Sequence, residues 1–238
     1  MRSERRLFLA DGPKAVGAAI EVEGCVVEVF ATLEATERYA AWRDAAPAWA
    51  VVEDRALESL SDSVTPAGVV GVCRFLDVPV ATLADARLLA ICADVRDPGN
   101  AGTVIRTADA AGADGVVLAG ASVDAYNPKT VRASVGSLFH LPIVVEPDVP
   151  ALVAAAQAAG LVVLAADGAG ELSLDQAGDL LGRRTAWLFG NEAHGLPDEV
   201  AALADHRVRI PIHGRAESLN LSTAAALCLY ASASAHRR

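Results

Sequence analysis

Two polar stretches near the end of the chain carry residue types that could bind a ligand or move a proton. The first contains Gly190, Asn191, Glu192 and His194 and follows an apolar run at residues 185–189. The second, residues 210–222, emerges from an apolar run at residues 208–212. Ligands of open α/β sheets bind at the carboxyl ends of strands, so the two stretches predict adjacent strand ends that form one pocket. Either stretch alone is equally typical of an ordinary turn, with glycine at a positive φ and asparagine or serine as a helix cap.

A third polar stretch lies earlier in the chain and contains Asn100 and Arg106. It follows a continuous apolar run at residues 88–95, which is typical of a parallel strand buried on both faces. We expect Asn100 to cap a helix over residues 101–111. Arg106 would then lie one to two turns along this helix, near the strand ends.

Together the three stretches resemble the signature motifs of the SpoU/TrmH-type RNA 2′-O-methyltransferases of the SPOUT superfamily. The matching segments, in the same order, are DPGNAGTVIRTA at residues 97–108, LFGNEAHGL at residues 188–196 and IPIHGRAESLNLS at residues 210–222. The resemblance covers residues 87–235 closely and the N-terminal third of the chain more loosely.

The resemblance implies an S-adenosylmethionine-dependent enzyme with an α/β fold. It implies a small N-terminal α/β RNA-binding domain and a C-terminal α/β/α parallel-sheet domain whose end is tucked through a loop as a deep trefoil knot. It also implies a homodimer that builds each active site across two subunits. We accordingly expect residues 1–78 to form the RNA substrate-binding domain, residues 79–87 a linker and residues 88–238 the methyltransferase domain.

The resemblance also assigns the site residues. Those implied in catalysis are Arg106, Asn100, Glu192, Ser218 and Asn220. Those implied in binding the methyl donor are Leu188, Gly190, Asn191, Ile210, Pro211, Ser218, Leu219 and Asn220.

A ribose 2′-hydroxyl is a poor acid, so methyl transfer to it needs a general base or strong electrostatic help. Glu192 and Glu217 are the natural bases, and His194 is a further candidate. Arginine stays protonated in proteins, yet this family gives the first-motif arginine the role of activating the hydroxyl. For Arg106 we expect positioning and charge stabilisation. For Glu192, a structural role in capping a turn is an equally good interpretation.

Three basic residues besides Arg106 are candidates for contacts with RNA phosphates. Lys14 lies beside a Gly-Pro turn, in a segment that resembles, with residues 60–72, the substrate-binding domain of this family. Lys129 and Arg132 are three residues apart and would share one face of a helix. A solvated basic surface explains each of these residues nearly as well.

Composition narrows the class of protein. The net charge is −10, so RNA binding requires a local basic surface on an acidic body, supplied mainly by arginine. The four cysteines are scattered without zinc-ligand spacing, which predicts buried free thiols in a cytoplasmic protein and no metal. No apolar run approaches the length of a membrane span, so we expect no membrane association.

The favoured interpretation is a methyltransferase of 23S ribosomal RNA, and three alternatives stay open. A tRNA 2′-O-methyltransferase is less favoured because tRNA enzymes of this family typically lack the N-terminal domain. A non-catalytic RNA-binding ribosome assembly factor would be favoured by loss of Asn100, Arg106, Ser218 or Asn220, and all four are present. A Rossmann oxidoreductase is disfavoured because residues 167–173 fall one glycine short of the dinucleotide fingerprint and precede no obvious helix.

Overall fold

The computed structural model describes residues 2–61 and 65–237, which form two β-sheets with their helices. The strands are β1 Leu7–Asp11, β2 Val26–Ala31, β3 Trp49–Val51, β4 Val69–Arg74, β5 Leu88–Ala93, β6 Gly115–Ala119, β7 Ile143–Glu146, β8 Val162–Ala166, β9 Leu172–Ser173, β10 Thr185–Phe189 and β11 His206–Arg209. The helices are α1 Arg2–Arg5, α2 Pro13–Glu21, α3 Leu33–Arg38, α4 Ala40–Ala45, α5 Asp54–Leu60, α6 Pro98–Ala111, α7 Pro128–Ser134, α8 Val149–Ala158, α9 Gly178–Leu181, α10 Asp198–Ala201 and α11 Leu221–Ala235. Short 3-10 helices span Val80–Leu83, Ser137–Phe139 and Leu174–Gln176.

The first sheet has four strands in the order β1-β4-β2-β3. Strand β4 is antiparallel to β1 and β2, whereas β2 and β3 are parallel. We call this sheet and its helices, residues 2–61 and 65–74, the N-terminal unit. The sequence pattern also predicts one helix over residues 33–44, but the structure has two, because Tyr39 has φ −112 and ψ 39 and leaves the helical region between α3 and α4. The sequence pattern predicts a further short helix over residues 56–62; the observed helix α5 runs from Asp54 to Leu60, and residue 62 lies outside the described residues.

The second sheet has seven parallel strands in the order β7-β6-β5-β10-β8-β11-β9. We call this sheet and its helices, residues 88–237, the C-terminal unit. Every residue of β5 is buried, and alternate side chains fill two cores. Leu88, Ala90 and Cys92 pack in the core that contains α6 and α11, while the intervening residues of β5 pack in the core that contains α8. The buried parallel strand expected at 88–95 is therefore present, ending at Ala93.

The expectation that the two polar stretches follow adjacent strands is wrong. Strand β8 lies between β10 and β11, because β8 pairs with β10 through residues 162–165 and with β11 through residues 164–166. The polar ends of β10 and β11 therefore flank a third strand end. The strand expected over residues 208–212 is shifted to His206–Arg209 by these pairings.

Three helix boundaries differ from the expectations. Asp97, not Asn100, caps α6: the Asp97 side chain accepts the backbone N–H of Asn100 at 2.7 Å, and Pro98 begins the helix. The sequence pattern predicts a helix over residues 196–204, but only the shorter α10 forms there, because Asp205 hydrogen-bonds with the backbone of Val163 in β8 and returns the chain to the sheet. The last helix, predicted from the sequence pattern over residues 218–234, begins only at Leu221, after its cap Asn220.

Aromatic side chains join the two sheets in one core. The ring centroids of Phe8 and Tyr126 are 4.7 Å apart, those of Phe75 and Tyr126 are 4.0 Å apart, and Phe139 stacks on Phe8 at 5.9 Å. The hydroxyl of Tyr126 accepts the backbone N–H of Leu76 at 2.6 Å. Burial raises the pKa of Tyr126, so this hydroxyl keeps its proton. Packed aromatic rings thus form a core that the two sheets share.

The four cysteines are buried free thiols, as expected. Within residues 2–61 and 65–237, no helix is long and apolar enough to cross a membrane. Those same residues contain no group of three or more His, Cys, Asp or Glu side chains placed to hold a metal ion.

Candidate active site

A cavity of about 250 Å³ opens at the carboxyl ends of β8, β10 and β11. Its apolar wall includes Phe189, Val208 and Ile210, and its polar edge includes Glu217 and Ser218. The complete lining comprises residues 166–168, 189–193, 195, 208, 210, 212, 217–219, 221 and 224. We call this space the strand-end cavity. A larger cavity in the N-terminal unit, about 480 Å³, is lined by none of the residues of the three polar stretches.

Hydrogen bonds between side chains connect the three polar stretches beside this cavity. The amide nitrogen Nδ2 of Asn100 donates to Oε1 of Glu192 at 3.3 Å. The oxygen Oδ1 of Asn100 accepts from Nδ2 of Asn220 at 3.0 Å. One residue from each stretch therefore takes part in a single chain of hydrogen bonds, although Asn100 and Asn220 are 120 positions apart.

The Glu192 carboxylate is tied to the loop that precedes α6. It accepts the backbone N–H of Asp97 at 2.9 Å and that of Arg96 at 3.1 Å. Partial burial alone would raise the pKa of Glu192, but these backbone donors and the Asn100 amide together hold it below its ordinary value. Glu192 is therefore an anion near neutral pH, with its acceptor oxygens already engaged.

The loop after β10 is closed on itself. Asn191 and Gly195 exchange two backbone hydrogen bonds, at 2.9 and 2.8 Å. The Asn191 side chain donates to the carbonyl oxygen of Asp94 at 2.9 Å and so anchors the loop to the end of β5. A Cβ atom at Gly190 would clash with the backbone of Gly195 and Leu196, so this loop requires glycine there.

The third stretch ends in a helix cap. The oxygen Oδ1 of Asn220 accepts the backbone N–H of Ser222 at 2.9 Å and its hydroxyl at 2.6 Å. The other end of the same amide donates to Asn100. Asn220 therefore orients the start of α11 relative to the start of α6, and Ser218 and Leu219 line the cavity just before this cap.

The structure brings most of the expected donor-binding residues to the cavity wall, namely Gly190, Asn191, Ile210, Ser218 and Leu219, together with Glu192. Leu188 is fully buried in β10 with its side chain in the sheet core. Pro211 and Asn220 lie next to wall residues but do not line the cavity themselves. Arg106 and His194 are exposed and do not line it either.

The end of β8 is a part of the cavity that the sequence argument missed. Asp167 and Gly168, discounted above as a failed dinucleotide fingerprint, line the wall between β10 and β11. The Asp167 carboxylate accepts from Nε of Arg207 at 2.8 Å and from the backbone N–H of Ala169 at 2.9 Å. Arg207 also donates to Asp198 at 3.1 Å. The sequence did contain an indication of this part of the site, an Asp-Gly pair directly after an apolar strand. Whether that turn lines the cavity depends on the order of the strands in the sheet, which hydrophobic periodicity does not reveal.

The candidate RNA contacts occupy two places. Lys14 and Arg132 line a cleft of about 250 Å³ between the two units, which we call the inter-sheet cleft; residues 11–15, 65, 67, 132 and 135 form it. Lys129 is exposed one turn before Arg132 on α7 and does not line the cleft. Within the cleft, Nη1 of Arg132 lies 3.9 Å from Oδ2 of Asp11.

Exposed side chains lie on the two neighbouring helices α6 and α11, with Arg106 exposed on α6. Leu227 and Tyr230 of α11 are 45% and 49% exposed, which is unusual for large apolar side chains on the longest described helix. The hydroxyl of Tyr230 donates to the carbonyl oxygen of Ala110 at 3.3 Å and links this face of α11 to α6.

Comparison with known proteins shows similarity over nearly the whole chain. The model of the SpoU rRNA Methylase family matches residues 87–230. The 23S rRNA (guanosine(2553)-2′-O)-methyltransferase RlmP of Bacillus subtilis (strain 168) is 34% identical over 232 residues, which cover 96% of this chain and 89% of that protein. An AdoMet-bound rRNA methyltransferase from Sinorhizobium meliloti is 33% identical with a TM-score of 0.83, covering 97% of this chain and 88% of the other. The SpoU methyltransferase AviRb from Streptomyces viridochromogenes, in complex with AdoMet, is 31% identical with a TM-score of 0.85, covering 98% and 92%.

Proposed function

Because the chain belongs to the SpoU rRNA methylase family, we propose that it transfers a methyl group from S-adenosylmethionine to a ribose 2′-hydroxyl of 23S ribosomal RNA. The family, enzyme class and cofactor expected from the three motifs are confirmed by the matches. The observation that carries the proposal is the strand-end cavity, whose borders are held together by the Glu192–Asn100–Asn220 hydrogen bonds.

The strand-end cavity fits S-adenosylmethionine chemically. Phe189, Val208 and Ile210 offer an apolar wall to an adenine ring, and the backbone near Gly190 can approach a ligand closely. Two acidic residues line the cavity, Glu217 and Asp167, of which Asp167 is already paired with Arg207, and a carboxylate there would attract the cationic groups of the cofactor. When bound, the cofactor supplies a methyl group activated by its sulfonium.

Within this proposal, the residues around the cavity have two different roles, positioning and charge stabilisation. Glu192 and Asn100 hold the second and first motifs together, so that the cavity exists before substrate arrives. Glu192 has a lowered pKa and engaged oxygens, which favours positioning over proton abstraction. Arg106 would stabilise the charge that develops on the 2′-oxygen, because a guanidinium can contact that oxygen and a neighbouring phosphate together.

The active enzyme is, in our proposal, a homodimer that packs through the exposed face of α6 and α11. Arg106 does not line the cavity of its own chain, and Leu227 and Tyr230 expose an apolar surface on α11, the helix that packs against α6. A partner subunit seated on this face would bring its cavity towards Arg106. Sedimentation should therefore give a dimer at assay concentrations. Mixed dimers of Arg106→Ala and Asn220→Ala subunits should recover activity that neither parent has.

The preference for ribosomal over transfer RNA is supported by relatives that match the N-terminal unit as well as the C-terminal one. The test is incubation of unmodified 23S rRNA and bulk tRNA with methyl-labelled cofactor, followed by mapping of the methylated ribose. Label in 23S rRNA at one 2′-oxygen is the expected result. Label in tRNA alone would overturn the substrate assignment and leave the enzyme class standing.

Four further features belong to the same proposal. Residues 1–78 would bind RNA, residues 79–87 would link and residues 88–238 would catalyse. The C-terminal end would form the deep trefoil knot of the family, which tracing of the chain in an experimental density map would test.

Catalysis would need no metal, so cofactor binding measured by calorimetry should survive dialysis against EDTA. The protein would work in the cytoplasm, consistent with four free thiols, and cell fractionation would check this.

A further inference from the structure

The inter-sheet cleft contains an arginine whose hydrogen bonds are incomplete. The Nη1 atom of Arg132 is buried and makes no hydrogen bond to any part of the chain that the structure describes. Its nearest carboxylate oxygen, Oδ2 of Asp11, is 3.9 Å away, which is beyond hydrogen-bond distance. That oxygen already accepts the hydroxyl of Ser61 at 2.6 Å. Asp11 therefore attracts Arg132 without satisfying it.

A second basic residue, Lys14, adds positive charge to the same cleft. Lys14 is exposed and lines the same cleft from the N-terminal unit. It lies in the first turn of α2, a nine-residue helix whose N-cap, Gly12, has no side chain to cap the first N–H groups. Gly12 and Pro13 line this cleft as well, so the positive end of the helix dipole lies at the cleft that Lys14 and Arg132 both line.

We propose that the inter-sheet cleft binds one backbone phosphate of the RNA substrate, held by Lys14 from one unit and Arg132 from the other. This inference rests on the proposed function and specifies where its substrate is gripped. The phosphate oxygens would provide the acceptors that Nη1 of Arg132 lacks, and the guanidinium would exchange its contact with Asp11 for the phosphate. Asp11 then competes with RNA for Arg132.

Because Asp11 competes with RNA for Arg132, substitutions at these two residues should change RNA affinity in opposite directions. Arg132→Ala removes a phosphate contact, so the protein should bind RNA roughly tenfold more weakly. Asp11→Asn releases Arg132 and removes a negative charge beside the phosphate, so it should bind RNA a few-fold more tightly. Asparagine still accepts the Ser61 hydroxyl, so the local fold is kept. If Arg132 and Asp11 served only as a structural ion pair, both substitutions would loosen the same contact and act in one direction.

The measurement is the dissociation constant for an unmodified 23S rRNA transcript over a series of salt concentrations. Glu21→Gln, at the far end of α2, is the charge-matched control for Asp11→Asn, since general electrostatics would affect both alike. Cofactor affinity by calorimetry checks that each variant is folded. Should Arg132→Ala fail this check, Arg132→Lys replaces it, because a lysine keeps the charge but loses the bidentate geometry.

A double substitution tests whether one phosphate is shared. With Lys14 and Arg132 both replaced by alanine, the slope of log affinity against log salt should fall by about one, as for a single phosphate. Replacing Lys129 and Arg132 together should give additive losses, because Lys129 lies outside the cleft. A slope that falls by about two for the Lys14 and Arg132 pair would overturn the shared site.

Three other outcomes are decisive. Weaker or unchanged binding by Asp11→Asn would overturn the inference while leaving the proposed function intact, provided the wild-type protein methylates the transcript. A wild-type protein that neither binds nor methylates the transcript would overturn both. Inorganic phosphate that binds tightly by itself, at constant ionic strength, without competing with the transcript would assign the cleft to a free anion and overturn its assignment to RNA.

Discussion

At the scale of single residues, the Glu192 carboxylate stabilises the site through the hydrogen bonds that it accepts from Arg96, Asp97 and Asn100. Its pKa is held below the ordinary 4.5, so its contribution to stability is complete above that pH and is lost as the pH falls through the lower folded-state pKa. The difference in unfolding free energy between the wild type and Glu192→Gln should therefore be constant near neutral pH and shrink in acid. Urea unfolding at several pH values measures it, with Glu199→Gln on α10 as an exposed control. A difference that grows in acid would contradict this assignment.

Arg106 should matter for the rate of methyl transfer more than for RNA affinity. Loss of a group that stabilises developing charge typically lowers a rate about a hundred- to a thousandfold. We expect Arg106→Ala to do so in single-turnover assays at saturating enzyme, with nearly normal RNA binding. Arg132→Ala should show the reverse pattern in the same assays. A normal single-turnover rate for Arg106→Ala would mean that another residue serves the reacting oxygen.

At the scale of elements, the loop after β10 depends on one glycine. Gly190→Ala should destabilise the protein by about 1–3 kcal/mol or distort the loop, since the added Cβ meets the backbone of Gly195. Either result should lower cofactor affinity. The control is Gly178→Ala at the start of α9, where a Cβ meets nothing within 4 Å. Thermal unfolding and calorimetry on both variants check this, and equal behaviour of the two would refute the close-approach argument.

The end of β8 should affect cofactor binding more than the chemical step. Asp167→Asn keeps the turn to Ala169 but loses the charged partner of Arg207. Because Asp167 lines the cavity and its charge holds Arg207 beside it, we expect the KM for S-adenosylmethionine to rise roughly tenfold, equivalent to about 1.4 kcal/mol, with little change in kcat. A fall in kcat at unchanged KM would place Asp167 in the chemistry instead. Asp179→Asn on α9 serves as the exposed control.

The elements also show which parts of the site local sequence can predict. Apolar runs that end in Gly, Asn and Glu correctly placed strands β5 and β10 and the polar turns after them. The cap of α6 was ambiguous because Asp97 and Asn100 are both capping residues; Pro98 in the first turn decides for Asp97. The position of β8 between β10 and β11 could not be predicted, since pairing between distant strands leaves no local periodicity.

At the scale of the whole molecule, the shared aromatic core should make the two units unfold together. Trp42 and Trp49 belong to the N-terminal unit, whereas Trp187 is buried in β10. Variants that keep only Trp187, or only the other two, should report one unfolding midpoint by fluorescence. Two separate midpoints would show that the units are independent.

Two substitutions of different severity, at Tyr126 and Phe8, test how much the shared aromatic core contributes to stability. Tyr126→Phe keeps the ring but loses both the hydrogen bond accepted from Leu76 and the one donated to Asp77, which should together cost about 1–3 kcal/mol. Phe8→Ala removes a ring that touches Phe75, Tyr126 and Phe139, which should cost about 3–5 kcal/mol. Both substitutions should lower the single midpoint reported by either set of tryptophans. A loss confined to the Trp42 and Trp49 signal would contradict joint unfolding.

The same rings also determine the order in which the two units can complete their packing while the chain is being translated. A ribosome releases the chain from its N-terminus, so Phe8 and Phe75 emerge before Tyr126 and Phe139 have been made. Until then the first sheet has no cover for these rings, and a ribosome that pauses in this interval presents them to water and to chaperones. The later half of the chain completes the earlier half, so the N-terminal unit reaches its native packing only after most of the protein has been translated.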